Sequence, residues 1–263
     1  MNNCFIIISV SDRLDSLNSL LEQIRSSQYK NWSIALLYQD YLNNIDQVKQ
    51  NLIDELFVEP IRVGCNKARI LLLQKVKKYD VYCNLDDDVE LTQWTRYEPV
   101  VDMIMKNQGV GFVLTNWART PELVIQKVPK MVNKFVPQIL LYQGGGMLYN
   151  DTIADLMRKL PLIETVFDEG WSLTSYLNGF VNYRYLGSLS IHRTLTKGGM
   201  HEYYKNVDIN RLGLLYGEYL NYRKTSKGET HIPIDSDIKW CAKEVHKKAR
   251  SQMLLHTYLD KKP

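Results

Sequence analysis

Apolar positions in this chain alternate between short continuous blocks and helical stripes, an order that predicts a layered α/β fold. Residues 4–10 form a mostly apolar, isoleucine-rich block, the pattern of a buried strand. Ser11 or Asp12 then offers a helix cap, and Leu14, Leu17, Leu20, Leu21 and Ile24 recur at helical spacing. A second strand is expected over 32–38, running into Gln39-Asp40, followed by a helix over 44–56 and a short strand at 57–60. Gly64 precedes a further helix with Ala68, Leu71, Leu72 and Val76 on one face, and residues 81–83 begin a strand that reaches Asp86. Helices set between buried strands in this way make the crossovers of a parallel sheet.

Beyond that point the pattern predicts a helix over 94–105 and a strand over 110–115. Residues 117–137 are less regular and carry Arg119, Lys127, Lys130 and Lys134 between apolar residues. Residues 139–149 read as a strand broken by Gly144, Gly145 and Gly146, which suits either close approach of a ligand or a β-bulge. A last strand is expected over 183–191, with His192 at its end. After residue 203, Leu212, Leu215, Tyr216, Tyr219 and Leu220 form one helical stripe, and a helix from Ile238 carries Lys243, His246, Lys247, Lys248 and Arg250. The division expected is an α/β domain over 1–200 and a helical C-terminal extension packed on it over 201–263.

Composition narrows the classes. A chain of 263 residues, 45% hydrophobic, can bury one large core, and no run of apolar residues is long enough to span a membrane. The first residues lack the basic, apolar character of a secretion signal, and Cys4, Cys65, Cys83 and Cys241 are scattered without a CxxC, so reduced thiols and a cytoplasmic setting are expected. The net charge of +4 permits an anionic partner without requiring one.

The chemistry concentrates where the strand over 81–86 ends, in Asp86-Asp87-Asp88. Three consecutive carboxylates repel one another unless a cation or cationic ligand compensates them, and hard oxygen donors suit Mg²⁺ or Mn²⁺ bridging to phosphates. A solvated acidic turn is the plainer alternative. A second acidic pair, Asp168-Glu169, stands at an expected helix start before Leu173, Tyr176, Leu177, Gly179 and Phe180.

With Gly64, Ala68 and Arg69 ahead of Asp86-x-Asp88, the chain resembles the inverting nucleotide-sugar glycosyltransferases of the GT-A fold, over about residues 4–192. The resemblance implies a Rossmann-like, mostly parallel central sheet flanked by helices, a nucleotide-diphosphate sugar as donor (most simply a UDP-sugar), and Mn²⁺ or Mg²⁺ as cofactor. It implies that Asp86, Asp88 and His192 hold the metal, with Asp86 nearer the donor's ribose or a metal-bound water, and that Asp40 and Arg69 hold the nucleoside end. Gly145 would lie beside the donor, and Arg193 or Lys197, in the loop 193–201, would offset charge on the leaving diphosphate. Asp40 equally suits a strand-end turn, and His201 rivals His192 as ligand. Asp168 or Glu169 would be the base that deprotonates the acceptor, although Gly170 and Trp171 stand where many relatives place the acidic pair closer to the leucine. The expected acceptor is a glycan or a hydroxymethylated pyrimidine in DNA, the latter fitting the basic segment 127–134. A nucleotidyltransferase and a non-catalytic sugar-nucleotide-binding module are the alternatives, the first disfavoured because Ser9-Val10-Ser11-Asp12-Arg13 lacks a glycine- and lysine-rich signature.

Overall fold

A computed structural model describes residues 2–138, 141, 145–160 and 168–193. The strands are β1 Asn3–Val10, β2 Ser33–Gln39, β3 Glu55–Glu59, β4 Val81–Asp86, β5 Val89–Glu90, β6 Val110–Ala118, β7 Phe135–Gln138, β8 Met147–Asn150 and β9 Val181–His192. The helices are α1 Leu14–Ser26, α2 Cys65–Lys75, α3 Glu98–Lys106, α4 Pro121–Lys127, α5 Asp151–Arg158 and α6 Asp168–Leu177. The strands form one sheet in the order β3-β2-β1-β4-β8-β6-β9-β5, with β7 also paired to β9. Six strands (β1, β2, β3, β4, β6 and β9) point the same way, and β5, β7 and β8 run against them. This is the α/β architecture the sequence predicts. Carboxyl ends of six strands therefore meet along one edge, where parallel sheets bind ligands.

Alternation along the strands splits the core into two layers. Cys4, Ile6 and Ile8 of β1 point to one face with Ala68, Leu72 and Leu73 of α2, Ile153 and Met157 of α5, and Trp171 of α6. Phe5 and Ile7 point to the other with Leu17, Leu20, Leu21 and Ile24 of α1 and Val100 and Ile104 of α3. Cys4 and Cys83 are buried free thiols and Cys65 is half-buried, while Cys241 lies outside the described residues.

Several local expectations are corrected. Neither Ser11 nor Asp12 caps α1 with its side chain; a single 3₁₀ turn, residues 11–13, leads into the helix, and the Ser11 hydroxyl donates to the Gln39 carbonyl at 2.8 Å. The expected helix over 44–56 is two separate 3₁₀ turns followed by β3. Asp40 accepts the Asn44 amide at 2.7 Å and Asn18 accepts that of Lys49 at 2.9 Å, so side chains take backbone groups a helix would need. The helix expected over 94–105 begins only at Glu98. Within the range of the strand expected over 139–149, the described residues carry β8 from Met147, while residues 139, 140 and 142–144 lie outside the described residues. The C-terminal extension over 201–263 lies outside the described residues.

Candidate active site

The site is built where β4 turns back toward β5. Asp87 and Asp88 occupy that turn, and both are buried, 4% and 6% exposed. The β5–β9 pairing sets Val89 opposite His192, and the Arg193 amide donates to the Asp88 carbonyl at 3.0 Å, which clips the end of β9 onto the acidic turn. His192 Nε2 thereby lies 3.0 Å from Asp88 Oδ1 and 3.7 Å from Asp86 Oδ2.

Each carboxylate turns its other oxygen to an arginine. Asp86 Oδ1 accepts from Arg69 at 2.5 Å, and Asp88 Oδ2 accepts from Arg13 at 3.2 Å. Arg13 also donates to the intervening Asp87 at 2.7 Å, and the Ser9 hydroxyl donates to that carboxylate at 2.7 Å. Asp87 is thus turned inward onto β1, while Asp86 and Asp88 face His192. Burial raises the Asp87 carboxyl despite Arg13 beside it. Burial works the same way on Asp88, but the His192 hydrogen bond and the charges of His192 and Arg13 outweigh it and hold Asp88 below the usual carboxylate value. Burial weakens the His192 cation, yet Asp88 and Asp86 outweigh that and raise its imidazole above the ordinary value.

Asp86, Asp88 and His192 offer three ligand atoms within 4.8 Å of one another, a spacing and an O,O,N donor set that fit Mn²⁺ or Mg²⁺. The Trp117 ring stands edge-on to His192, with ring centres 5.4 Å apart.

The other expected residues divide. Asp40 sits at the end of β2 on the same edge, where its Oδ1 accepts from Asn44 and, at 3.4 Å, from Ser11, the strand-end turn left open as its alternative. Arg69 is a partner of Asp86 and not separate from it. Gly145 is buried against the sheet: a Cβ there would meet Thr115 Oγ1 at 2.8 Å and Ser190 Oγ at 3.1 Å, so packing alone accounts for the glycine. Arg193 pairs with Glu90 at 2.5 Å. Asp168 and Glu169 form the first turn of α6. Trp171, one turn on, is buried, and its indole N–H donates to Asn66 in the first turn of α2, one turn before Arg69. Trp171 thereby anchors α6 against α2. Lys197 and His201 lie outside the described residues.

Sequence reasoning missed Ser9 and Arg13. The parallel register pairs Ile8 with Asp86, so the residues that follow β1 had to lie beside the acidic turn. It also missed a trio after β1, β2 and β3: Arg62 bonds Asp12 at 2.9 Å and the Tyr41 hydroxyl at 2.7 Å, with its guanidinium 4.9 Å from the Tyr41 ring centre.

No protein-family model matches the chain, and no curated protein is significantly similar to it in sequence. Solved structures are similar in fold. The structure of GalNAc-T7 with UDP, GalNAc and Mn²⁺ superposes with a TM-score of 0.61 at 15% identity, over 93% of this chain and 54% of that one. A mannosyltransferase from Pyrobaculum calidifontis, PcManGT, in complex with GDP-Man and Mn²⁺, gives 0.54 at 11% identity, over 98% of this chain and 79% of that one. Residues 1–349 of TarS from S. aureus give 0.53 at 12%, over 91% and 78%. The chain thus spans about half the length of the first of these. Likenesses at such identities show a shared fold, the GT-A fold expected from the sequence.

Proposed function

We propose that this protein is a metal-dependent glycosyltransferase, moving a sugar from a nucleoside-diphosphate sugar to an acceptor hydroxyl. The observation that carries the reading is the inward-facing trio of Asp86 Oδ2, Asp88 Oδ1 and His192 Nε2 at the carboxyl edge of a GT-A sheet. The UDP and Mn²⁺ in the GalNAc-T7 structure and the GDP-Man and Mn²⁺ in that of PcManGT support this class of donor and cofactor.

Asp86, Asp88 and His192 would hold a divalent cation, which when bound supplies positive charge to a departing diphosphate. Arg13 and Arg69 fix the outer carboxylate oxygens, so the inner oxygens keep their aim. Asp40, with Tyr41 and Arg62 beside it, lies where the nucleoside would bind. Asp168 or Glu169, in the positive field of the α6 N-terminus, takes the proton from the acceptor hydroxyl. That oxygen bonds to the anomeric carbon as the bond from this carbon to the diphosphate oxygen breaks, and the nucleoside diphosphate leaves. Attack from the opposite face inverts the anomeric centre. Arg193 and Lys197 would add charge on the leaving-group side. The acceptor is a glycan hydroxyl in this reading. A hydroxymethylated DNA base is the second reading, which the net charge of +4 permits.

The test is release of nucleoside diphosphate from a panel of UDP- and GDP-sugars with Mn²⁺, with and without hydroxymethylated DNA, beside Mn²⁺ binding followed by electron paramagnetic resonance. Release and Mn²⁺ binding both lost in Asp88→Asn are expected. Unchanged Mn²⁺ binding in that variant would remove the metal assignment, and absence of release with every donor would remove the transferase.

A further inference from the structure

We infer that residues 119–134 form a docking surface for an anionic lipid bilayer, on the same edge as the Asp86-Asp88-His192 cluster. After β6 ends at Ala118, Thr120 caps α4 by accepting the Leu123 amide. Val124 of α4 is buried with Ala118, Leu189 and Ile191, and Val128 and Met131 cover the same small core. The inward side of the segment is thereby committed. Leu123, Ile125 and Val132 remain 37%, 68% and 49% exposed. They are three of the eight large apolar side chains exposed among the described residues, and they fall within ten positions of one another.

Cations flank them along the chain. Arg119, Lys130 and Lys134 are exposed and have no carboxylate partner among the described residues, whereas Lys49, Lys75, Lys78 and Lys106 each pair with one. Glu122 is the one acid between 119 and 134, against the four cations Arg119, Lys127, Lys130 and Lys134. Aliphatic side chains interleaved with unpaired cations match a bilayer interface, where the first enter the acyl boundary and the second meet anionic headgroups. A nucleic acid backbone would satisfy the cations but offers the three aliphatic residues nothing.

The surface is also tied to the site. Lys127 donates to the Trp117 carbonyl at 2.7 Å, the Trp117 ring abuts His192, and Ile191 of the small core precedes that histidine. A bilayer held by residues 119–134 would face the edge on which the cluster stands. Docking does not rest on the transfer chemistry, and its readout is independent of it.

The test is sedimentation of the full chain with vesicles of phosphatidylcholine alone or mixed with phosphatidylglycerol. Binding is expected only to the mixed vesicles. Lys130→Gln with Lys134→Gln should weaken it about 25-fold, at about fivefold for each cation near the surface. Ile125→Glu with Val132→Glu should weaken it at least as much, and Met105→Glu, an exposed site on α3, should leave it unchanged. Circular dichroism confirms that each variant is folded. Absence of binding, binding indifferent to either double variant, or loss in the lysine variant alone with displacement by duplex DNA would each overturn the proposal. The last of these results would assign the surface to nucleic acid.

Discussion

Asp86 and Asp88 each surrender one oxygen to an arginine and keep the other aimed at His192. Arg13 links two carboxylates, because one of its nitrogens serves both Asp87 and Asp88. Removing it in Arg13→Ala leaves buried Asp87 without its cation and buried Asp88 with His192 alone. We expect a loss of about 3 kcal/mol in unfolding free energy by urea titration. Mn²⁺ affinity in the folded variant should fall about 10- to 100-fold, the usual effect of losing a group that orients a ligand. Asp86, Asp88 and His192 were legible in the sequence because a strand's end marks them. Arg13 and Ser9 were not, since their partners lie 74 and 78 positions away and only the pairing of β1 with β4 brings them together.

Among the elements, the glycine run and α6 carry the sharpest consequences. A Cβ on Gly146 would stand 2.7 Å from the ring of Tyr97 and 3.0 Å from Cys83 Sγ, both buried. Gly146→Ala should therefore destabilise by about 1–3 kcal/mol through overpacking, read by thermal or urea unfolding. The run was visible as a break in an apolar block, but whether it spared a ligand or a neighbouring strand depended on contacts that spacing does not encode. Trp171→Phe keeps the apolar volume and removes the donor to Asn66, an exchange expected to cost about 1 kcal/mol. If α6 carries the acceptor's base, the variant's kcat should fall while KM for the donor stays near that of the parent, as steady-state kinetics would show. The two turns between β2 and β3 show the opposite limit. Leucine and isoleucine recur there at helical spacing, yet Asp40 and Asn18 capture the backbone first.

Over the whole molecule, the sequence revealed the sheet more fully than its partners. Buried strands separated by helices predicted one direction for most of them, and six of the nine strands among the described residues share it. The order β4-β8-β6 was not predictable from spacing, because β8 is only four residues long. Stability on the acid side should depend on Asp151, at the start of α5. Burial opposes its charge, but hydrogen bonds from Tyr82, Arg158 and Lys78 outweigh that and hold it below its ordinary value of 3.8. Its contribution is complete above that value and is lost as pH falls through the lower folded value. Asp151→Asn should lower the unfolding temperature near neutrality, with the gap from the parent narrowing as pH drops below 3.8.

The short ribbon that sets Val89 opposite His192 joins parts of the chain about a hundred positions apart, and such long closures are the slow part of assembly. An incompletely folded copy would therefore own the carboxylates without the imidazole. A cation that needs all three would grip only finished copies and draw the population toward them by mass action. The same ion would then serve twice, first as an inspector of assembly and afterwards as a participant in the work of the assembled molecule.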